Sequence, residues 1–255
     1  MREFELLDEL ERRGLIVGVE HDAAQIEGLV VTQDTLVEGV HFRFDLIGWR
    51  ELGFRAAAVN LSDLAASGAE PIALIVSLAA PDLDGAIELY EGIAEAGVPV
   101  RGGDTTRAGA VVLSVTALGR SDRVPGRAGA KPGDLLVVTG PLGGAGAAFR
   151  AGRLARPPLR LAEGRRLAAV AHAMLDISDG LGPDAGHIAE RSGCRLVVDL
   201  DRVPLTEGAT LADLEFGEDY ELLAATPDPL DFPVIGRCEE GSGVNVALGG
   251  WEHFG

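Results

Sequence analysis

Apolar residues recur along this chain at two spacings, and the changes between them mark its elements. Glu3 to Arg13 carries Phe4, Leu7 and Leu10 on one helical face. Gly28–Asp34 is a short apolar run that predicts a strand ending in Thr32-Gln33-Asp34. Trp49 to Ser67 predicts a helix rich in alanine and leucine, closed by Gly68 and Pro71. Ile72–Ala79 predicts a buried strand and Asp84–Ala96 an amphipathic helix. Val98–Arg101 predicts a strand running into a loop at Gly102-Gly103-Asp104, and Ala110–Leu118 a further strand.

The texture changes at Arg120–Asp134, which is rich in Gly, Arg and Pro and reads as the junction between domains 1–120 and 121–255. Beyond it, Leu135–Thr139 predicts a strand, Gly140–Gly146 a glycine-rich turn into a helix, and Gly152–Arg160 a loop. Two helices follow, with Asp176-Ile177-Ser178-Asp179-Gly180 between them. Strands at Arg195–Leu200, Tyr220–Ala225 and Val244–Leu248 complete the second half. Helices and strands intermix throughout, so the expected class is α/β, or mixed α+β, in two domains.

Charge narrows the function. Forty acidic residues against 22 basic ones give a net −18, which excludes a general nucleic-acid surface, because that needs a basic stripe. If such a chain handles phosphates, metal ions must lie between the two negative partners. Lys131 is the only lysine, and its surroundings are not the G-x-x-x-x-G-K-[ST] of a Walker loop. Cys194 and Cys238 form no C-x-x-C pair and read as reduced thiols. No charged-then-apolar leader opens the chain, and no apolar run reaches the roughly 18 residues of a membrane span. The expectation is a cytoplasmic enzyme without membrane or nucleic-acid partners.

Acids recur beside glycine-rich loops or at element ends: Asp22, Asp34, Asp63, Asp104, Asp176 and Asp179. Each alone reads equally as a cap or a solvated turn; their joint placement, where α/β proteins bind ligands, does not. Asp63 is the sharpest case, since it interrupts a helix that is apolar nearly all round, with Asn60 on its face. A buried carboxylate needs a partner or a metal; the competing reading is a solvated face. Asp104 follows two glycines, in a tight turn or a site. Asp176, Ser178 and Asp179 precede a helix start, where capping and phosphate binding can share one place. Oxygen-only ligands favour Mg²⁺, and no close His/Cys cluster supports a transition metal at His21 or His41.

The ordered set of motifs resembles the thiamine-monophosphate kinase family. It comprises Thr32-Gln33-Asp34-Thr35-Leu36-Val37-Glu38-Gly39-Val40-His41-Phe42, Ala58-Val59-Asn60-Leu61-Ser62-Asp63-Leu64-Ala65, Gly102-Gly103-Asp104-Thr105-Thr106-Arg107 and Gly129-Ala130-Lys131-Pro132-Gly133-Asp134. Leu175–Leu181, Gly217-Glu218-Asp219-Tyr220-Glu221-Leu222 and Gly250-Trp251-Glu252-His253-Phe254 complete it. The resemblance implies ATP-dependent phosphorylation of thiamine monophosphate to thiamine diphosphate. It implies a fold shared with aminoimidazole ribonucleotide synthetase, in a homodimer whose N-terminal sheets join across the two-fold. Carried over by position, Asp22, Asp34, Asp63, Asp104, Asp176 and Asp179 would bind several Mg²⁺ ions. Tyr90, Gly103, Asp104, Arg127 and Ser178 would contact ATP, and His41, Glu218 and Trp251 the thiamine phosphate. The resemblance implies no general base.

Three positions depart from the family pattern. Glu20-His21-Asp22 stands where two acids are usual, Gln33 where a threonine often ligates metal, and Phe216 where a glycine precedes Gly217. Among relatives of this fold, the absence of a cysteine before Cys194 and the ending Phe254-Gly255 disfavour selenophosphate synthetase and the hydrogenase-maturation relative. Aminoimidazole ribonucleotide synthetase, or a non-catalytic nucleotide- or metal-binding regulator on the same scaffold, are the alternatives.

Overall fold

A computed structural model describes residues 3–16 and 22–251. Its organising element is the helix α2 (Trp49–Ala66), buried almost continuously from Leu52 to Ala66. With α1 (Glu3–Arg12) and α3 (Ala86–Glu95), it belongs to the first half of the chain. That half also forms a five-stranded sheet from β1 (Ala24–Ile26), β2 (Leu29–Val37), β3 (Glu70–Ala80), β4 (Val100–Arg107) and β5 (Val112–Arg120). The strand order is β1-β2-β5-β3-β4, antiparallel except for the β3–β4 pair. β5 alternates buried and half-buried residues, the period-two pattern of a strand with one face in a core.

The second half forms a six-stranded sheet from β6 (Leu135–Val138), β7 (Ala173–Asp176), β8 (Arg195–Val198), β9 (Leu222–Thr226), β10 (Val234–Glu239) and β11 (Gly243–Val244). Its order is β11-β8-β10-β6-β9-β7, and only β11 and β8 run parallel. Helices α4 (Gly144–Arg150), α5 (Leu161–Ala168) and α6 (Leu181–Ser192) accompany it. The mixed helix-and-strand class expected from the sequence is what forms. The C-terminal end of α2 reaches α5, β7 and β9, and Ala65 and Ala66 share a core with Val137, Met174 and Leu222. One helix thus touches both sheets.

Three strands lie outside the elements that periodicity predicts: β1, β7 and β10. β7 is buried at all four residues, and such a continuous apolar run fits a helix as well as a strand. β10 is interrupted by Gly236 and shifts register there. The expected loop at Gly102-Gly103-Asp104 is instead part of β4, exposed along its whole length at the sheet edge. Glycine and aspartate disfavour strands, but an edge position tolerates them. Gly103 is also required there: a Cβ on it would lie 1.8 Å from the Val76 carbonyl oxygen. The strand expected at Val244–Leu248 stops early, because the Asn245 side chain accepts from the Val198 N–H at 2.7 Å and donates back to its carbonyl at 3.0 Å. No helix among the described residues is long and apolar enough to cross a membrane.

α2 and α3 meet backbone to backbone through Gly53 and Gly92, where added Cβ atoms would lie 1.9 Å from the Leu89 oxygen and 1.8 Å from the Arg50 oxygen. Overpacking of this kind costs about 1–3 kcal/mol, so Gly53→Ala is expected to lower stability by that amount. Gly186 on α6 has open space around its Cβ position, and Gly186→Ala is expected to raise stability by up to ~1 kcal/mol. Denaturant unfolding of both variants checks the pair; equal effects would contradict the packing account.

Candidate active site

Val59 and Asp63 of α2 contribute to one wall of a cavity of about 830 Å³. Asp63 is half-buried at that wall, and the Thr32 hydroxyl on β2 donates to its carboxylate. Ser62, the residue before it, donates to Asp176 Oδ2 at 2.5 Å, holding the end of β7 against the helix. Asn60 does not face the cavity as a ligand. It is fully buried, accepts from the Asp34 N–H at 3.0 Å and donates to the Ala56 carbonyl at 2.9 Å. The solvated-face reading of this helix therefore fails.

Five of the six candidate metal aspartates line the same cavity: Asp22, Asp34, Asp63, Asp176 and Asp179. Arg127, also in the lining, pairs with Asp22 at 2.7 Å. Burial pushes the Asp34 carboxyl up to about 6, with Asp22 adding to it. Asp176 is pushed up to about 7, first by burial and then by Asp22, against the opposing Ser62 hydrogen bond. Asp63 is raised well above the ordinary carboxylate range by burial and by the charges of Asp34, Asp176 and Asp22. The donor set is oxygen, negatively charged and crowded, which fits hard divalent cations whose remaining ligands come from phosphate and water.

The tightest trio of potential ligand atoms among the described residues is different. Asp179, Asp184 and His187 place theirs within 4.8 Å of one another. Asp184, which no motif singled out, is buried and accepts from the N–H groups of Asp179 and Gly180 at 3.1 Å each. Its carboxyl is raised by burial, then by Asp179 and Asp176. It shapes the turn that carries Asp179. Its only sequence signal is an acid in the first turn of α6, a common helix feature.

His41, Ser178, Glu218 and Trp251 also line the cavity. His41 Nδ1 accepts from the Val37 N–H at 3.0 Å, which leaves Nε2 to carry the proton in the neutral ring. The backbone N–H of Trp251 donates to the Asp179 carbonyl at 3.0 Å, and the residue is 52% exposed. Glu218 Oε1 lies 2.5 Å from Arg55 Nη2. Phe216, where the family has glycine, lies in the lining beside Phe149, with ring centroids 5.0 Å apart. Gln33 also lines the cavity and accepts from the Thr116 hydroxyl at 2.9 Å. Three candidates stand elsewhere. Gly103 and Asp104 are on the exposed edge strand β4, and Tyr90 packs half-buried on α3 against the first core. His21 and the segment after Trp251 lie outside the described residues.

The raised carboxyls fix the sign of a pH effect. Below about 4 these groups are protonated both folded and unfolded, so they cost nothing. Between about 4 and the folded values of about 6 and about 7, the unfolded chain is ionised while the folded one still holds its protons, so stability is lost as pH rises across that window and the full loss persists above it. EDTA-treated protein is expected to melt lower at about pH 8 than at about pH 5.5, and Asp63→Asn to flatten the slope. Identical slopes with and without Asp63 would show that these carboxylates do not interact.

Family models for AIR synthase related protein match the chain twice, the N-terminal domain at residues 20–121 and the C-terminal domain at 131–246. The thiamine-monophosphate kinase of Aquifex aeolicus is 32% identical over 99% of this chain and 98% of its own length. That of Pyrococcus horikoshii is 34% identical over 89% and 86%. Among solved structures, AaThiL complexed with AMPPCP and TMP matches with a TM-score of 0.88 at 30% identity, covering 99% of this chain and 97% of that one. Thiamine-monophosphate kinase from Stenotrophomonas maltophilia K279a matches with a TM-score of 0.79 at 35% identity, covering 98% of each chain. The chain therefore belongs to the thiamine-monophosphate kinase family, built on the two AIR synthase related domains.

Proposed function

We propose that this chain transfers a phosphoryl group from ATP to thiamine monophosphate, forming thiamine diphosphate by direct in-line attack. The observation that carries this reading is the single cavity that joins five aspartates to His41, Glu218 and Trp251. The acceptor is a phosphate monoester with a second pKa of about 6, largely dianionic at neutral pH, so the reaction needs no general base. The obstacle is repulsion between two anions. Mg²⁺ held by Asp22, Asp34, Asp63, Asp176 and Asp179 would supply the neutralising charge. Arg127 pairs with Asp22 and brings a positive charge into the same cavity. Trp251 suits stacking against a flat heteroaromatic ring, and Glu218 and His41 line the same cavity with a carboxylate and an imidazole.

Residues 1–120 would carry the metal- and ATP-binding part together with the dimer contact, and 121–255 would complete the nucleotide and substrate site. The exposed edge at β4 supports a homodimer joined through the N-terminal sheets. In that assembly Gly103, Asp104 and Tyr90 would serve a site shared between copies. A mass twice 26.5 kDa in sedimentation supports this; a monomer with full turnover contradicts it. The two free cysteines, both buried, fit a cytoplasmic setting.

ATP turnover measured with and without thiamine monophosphate tests the reading. We expect turnover only with the acceptor, its abolition by EDTA and its restoration by Mg²⁺; acceptor-independent hydrolysis or full metal-free activity would contradict it. Trp251→Ala is expected to weaken thiamine monophosphate binding by about 1–3 kcal/mol, the scale of base–aromatic stacking, with ATP affinity nearly unchanged. Equal losses for both ligands would make Trp251 structural.

A further inference from the structure

Arg55 lies on α2 two turns before Asp63 and is 1% exposed. A guanidinium is costly to bury without partners, so what surrounds it is informative. Nη1 donates to the Ala155 carbonyl at 3.0 Å. Nη2 lies 2.5 Å from Glu218 Oε1 but outside hydrogen-bonding geometry, and neither Nε nor Nη2 has a hydrogen-bond partner among the described residues. The guanidinium carbon is 5.8 Å from the centroid of the Tyr220 ring. Its charge is therefore directed at the segment Gly217–Tyr220.

That segment is strained. Glu218 has φ +58° and Tyr220 φ +52°, both in the left-handed region that side chains with a Cβ rarely occupy. Such conformations persist only where the surroundings hold them. Two backbone ties are visible: the Glu218 N–H donates to the Ser178 carbonyl at 2.8 Å and the Tyr220 N–H to the Ile177 carbonyl at 2.9 Å. Between them, the Asp219 carboxylate accepts from the Gly143 N–H at 2.6 Å and the Ala145 N–H at 3.1 Å. Arg55 adds a further tie, to the Glu218 side chain, from the helix that also carries Asp63.

We infer that Arg55 is a positioning residue for the acceptor: it fixes the Glu218 carboxylate at a set distance from the aspartate cluster. Eight helical residues separate Arg55 from Asp63, about 12 Å along the axis, and α2 is buried on nearly every side. With Oε1 held by Arg55, Oε2 remains for the ligand. The inference rests on the reading of Glu218 as a thiamine-phosphate contact. A merely structural Arg55 would tie the two halves of the chain together and affect both substrates alike.

The test is steady-state kinetics, varying thiamine monophosphate and ATP separately, for Arg55→Met, Arg55→Lys, Glu218→Gln and the double variant Arg55→Met/Glu218→Gln. The expected result is a KM for thiamine monophosphate raised ~10-fold or more in Arg55→Met with the KM for ATP within ~2-fold, a loss of binding rather than of turnover. Arg55→Lys keeps the charge and is expected to recover most of that loss. The double variant should resemble Glu218→Gln alone, since the two residues act as one unit. Equal rises in both KM values, or additive losses in the double variant, overturn the inference. If Arg55→Met does not fold, Arg55→Lys decides: a rise confined to thiamine monophosphate supports the inference, and unchanged or equally raised constants overturn it. Unchanged kinetics in Glu218→Gln would sink the reading of Glu218 itself, whereas an effect there without one at Arg55 removes only Arg55.

Discussion

The polar side chains of one buried helix fix the position of the cavity's other parts. From α2, Ser62 holds Asp176 at the end of β7, Asn60 holds the backbone of Asp34 on β2, and Asp63 receives the Thr32 hydroxyl. Arg55 reaches Glu218 from the same helix. Two of these contacts run to β2 in the first sheet, one to β7 in the second, and one to the loop before β9. Because the helix is apolar elsewhere and packed between sheets and helices, it cannot turn to relieve a misplaced contact. The close glycine contact with α3 removes the remaining slack.

The same rigidity forces carboxylates together at an energetic cost. Asp34, Asp63 and Asp176 are raised by burial first and by one another and Asp22 second. A folded chain accepts such a cost at functional sites and offsets it elsewhere. Here the offset lies in the extensive apolar cores, and cations held among the aspartates would relieve the repulsion. With a net charge of −18, nucleotide binding at such a site would be favoured by cations held there.

Much of this was legible in the residues alone, for identifiable reasons. The anomaly of a carboxylate in an apolar helix marked Asp63, and the structure places it in the cavity lining. Asp176–Gly180 stood out as a polar stretch before a helix; its last four residues lie there, while Asp176 ends β7. What periodicity missed was β7, whose uniform burial leaves no alternation to read, and β4, whose glycines imitate a loop. Asn60 shared a face with Asp63 yet serves the backbone, because spacing gives direction but not the partner. Asp184 carries only the common signal of an acid in a first helical turn, and the role of Arg55 arises from segments that meet only in the fold.

Proton release on Mg²⁺ binding tests most directly whether cations take the place of protons in the aspartate cluster. Calorimetric titration of Mg²⁺ into the protein with a non-hydrolysable ATP analogue, at about pH 6.5 in two buffers of different ionisation heat, counts those protons. With Asp176 raised to about 7 and Asp63 raised above the ordinary range, protons must leave as metal enters. The account predicts a clear buffer-dependent heat that shrinks in Asp63→Asn. Mg²⁺ binding with no proton release, unchanged by that substitution, would contradict it.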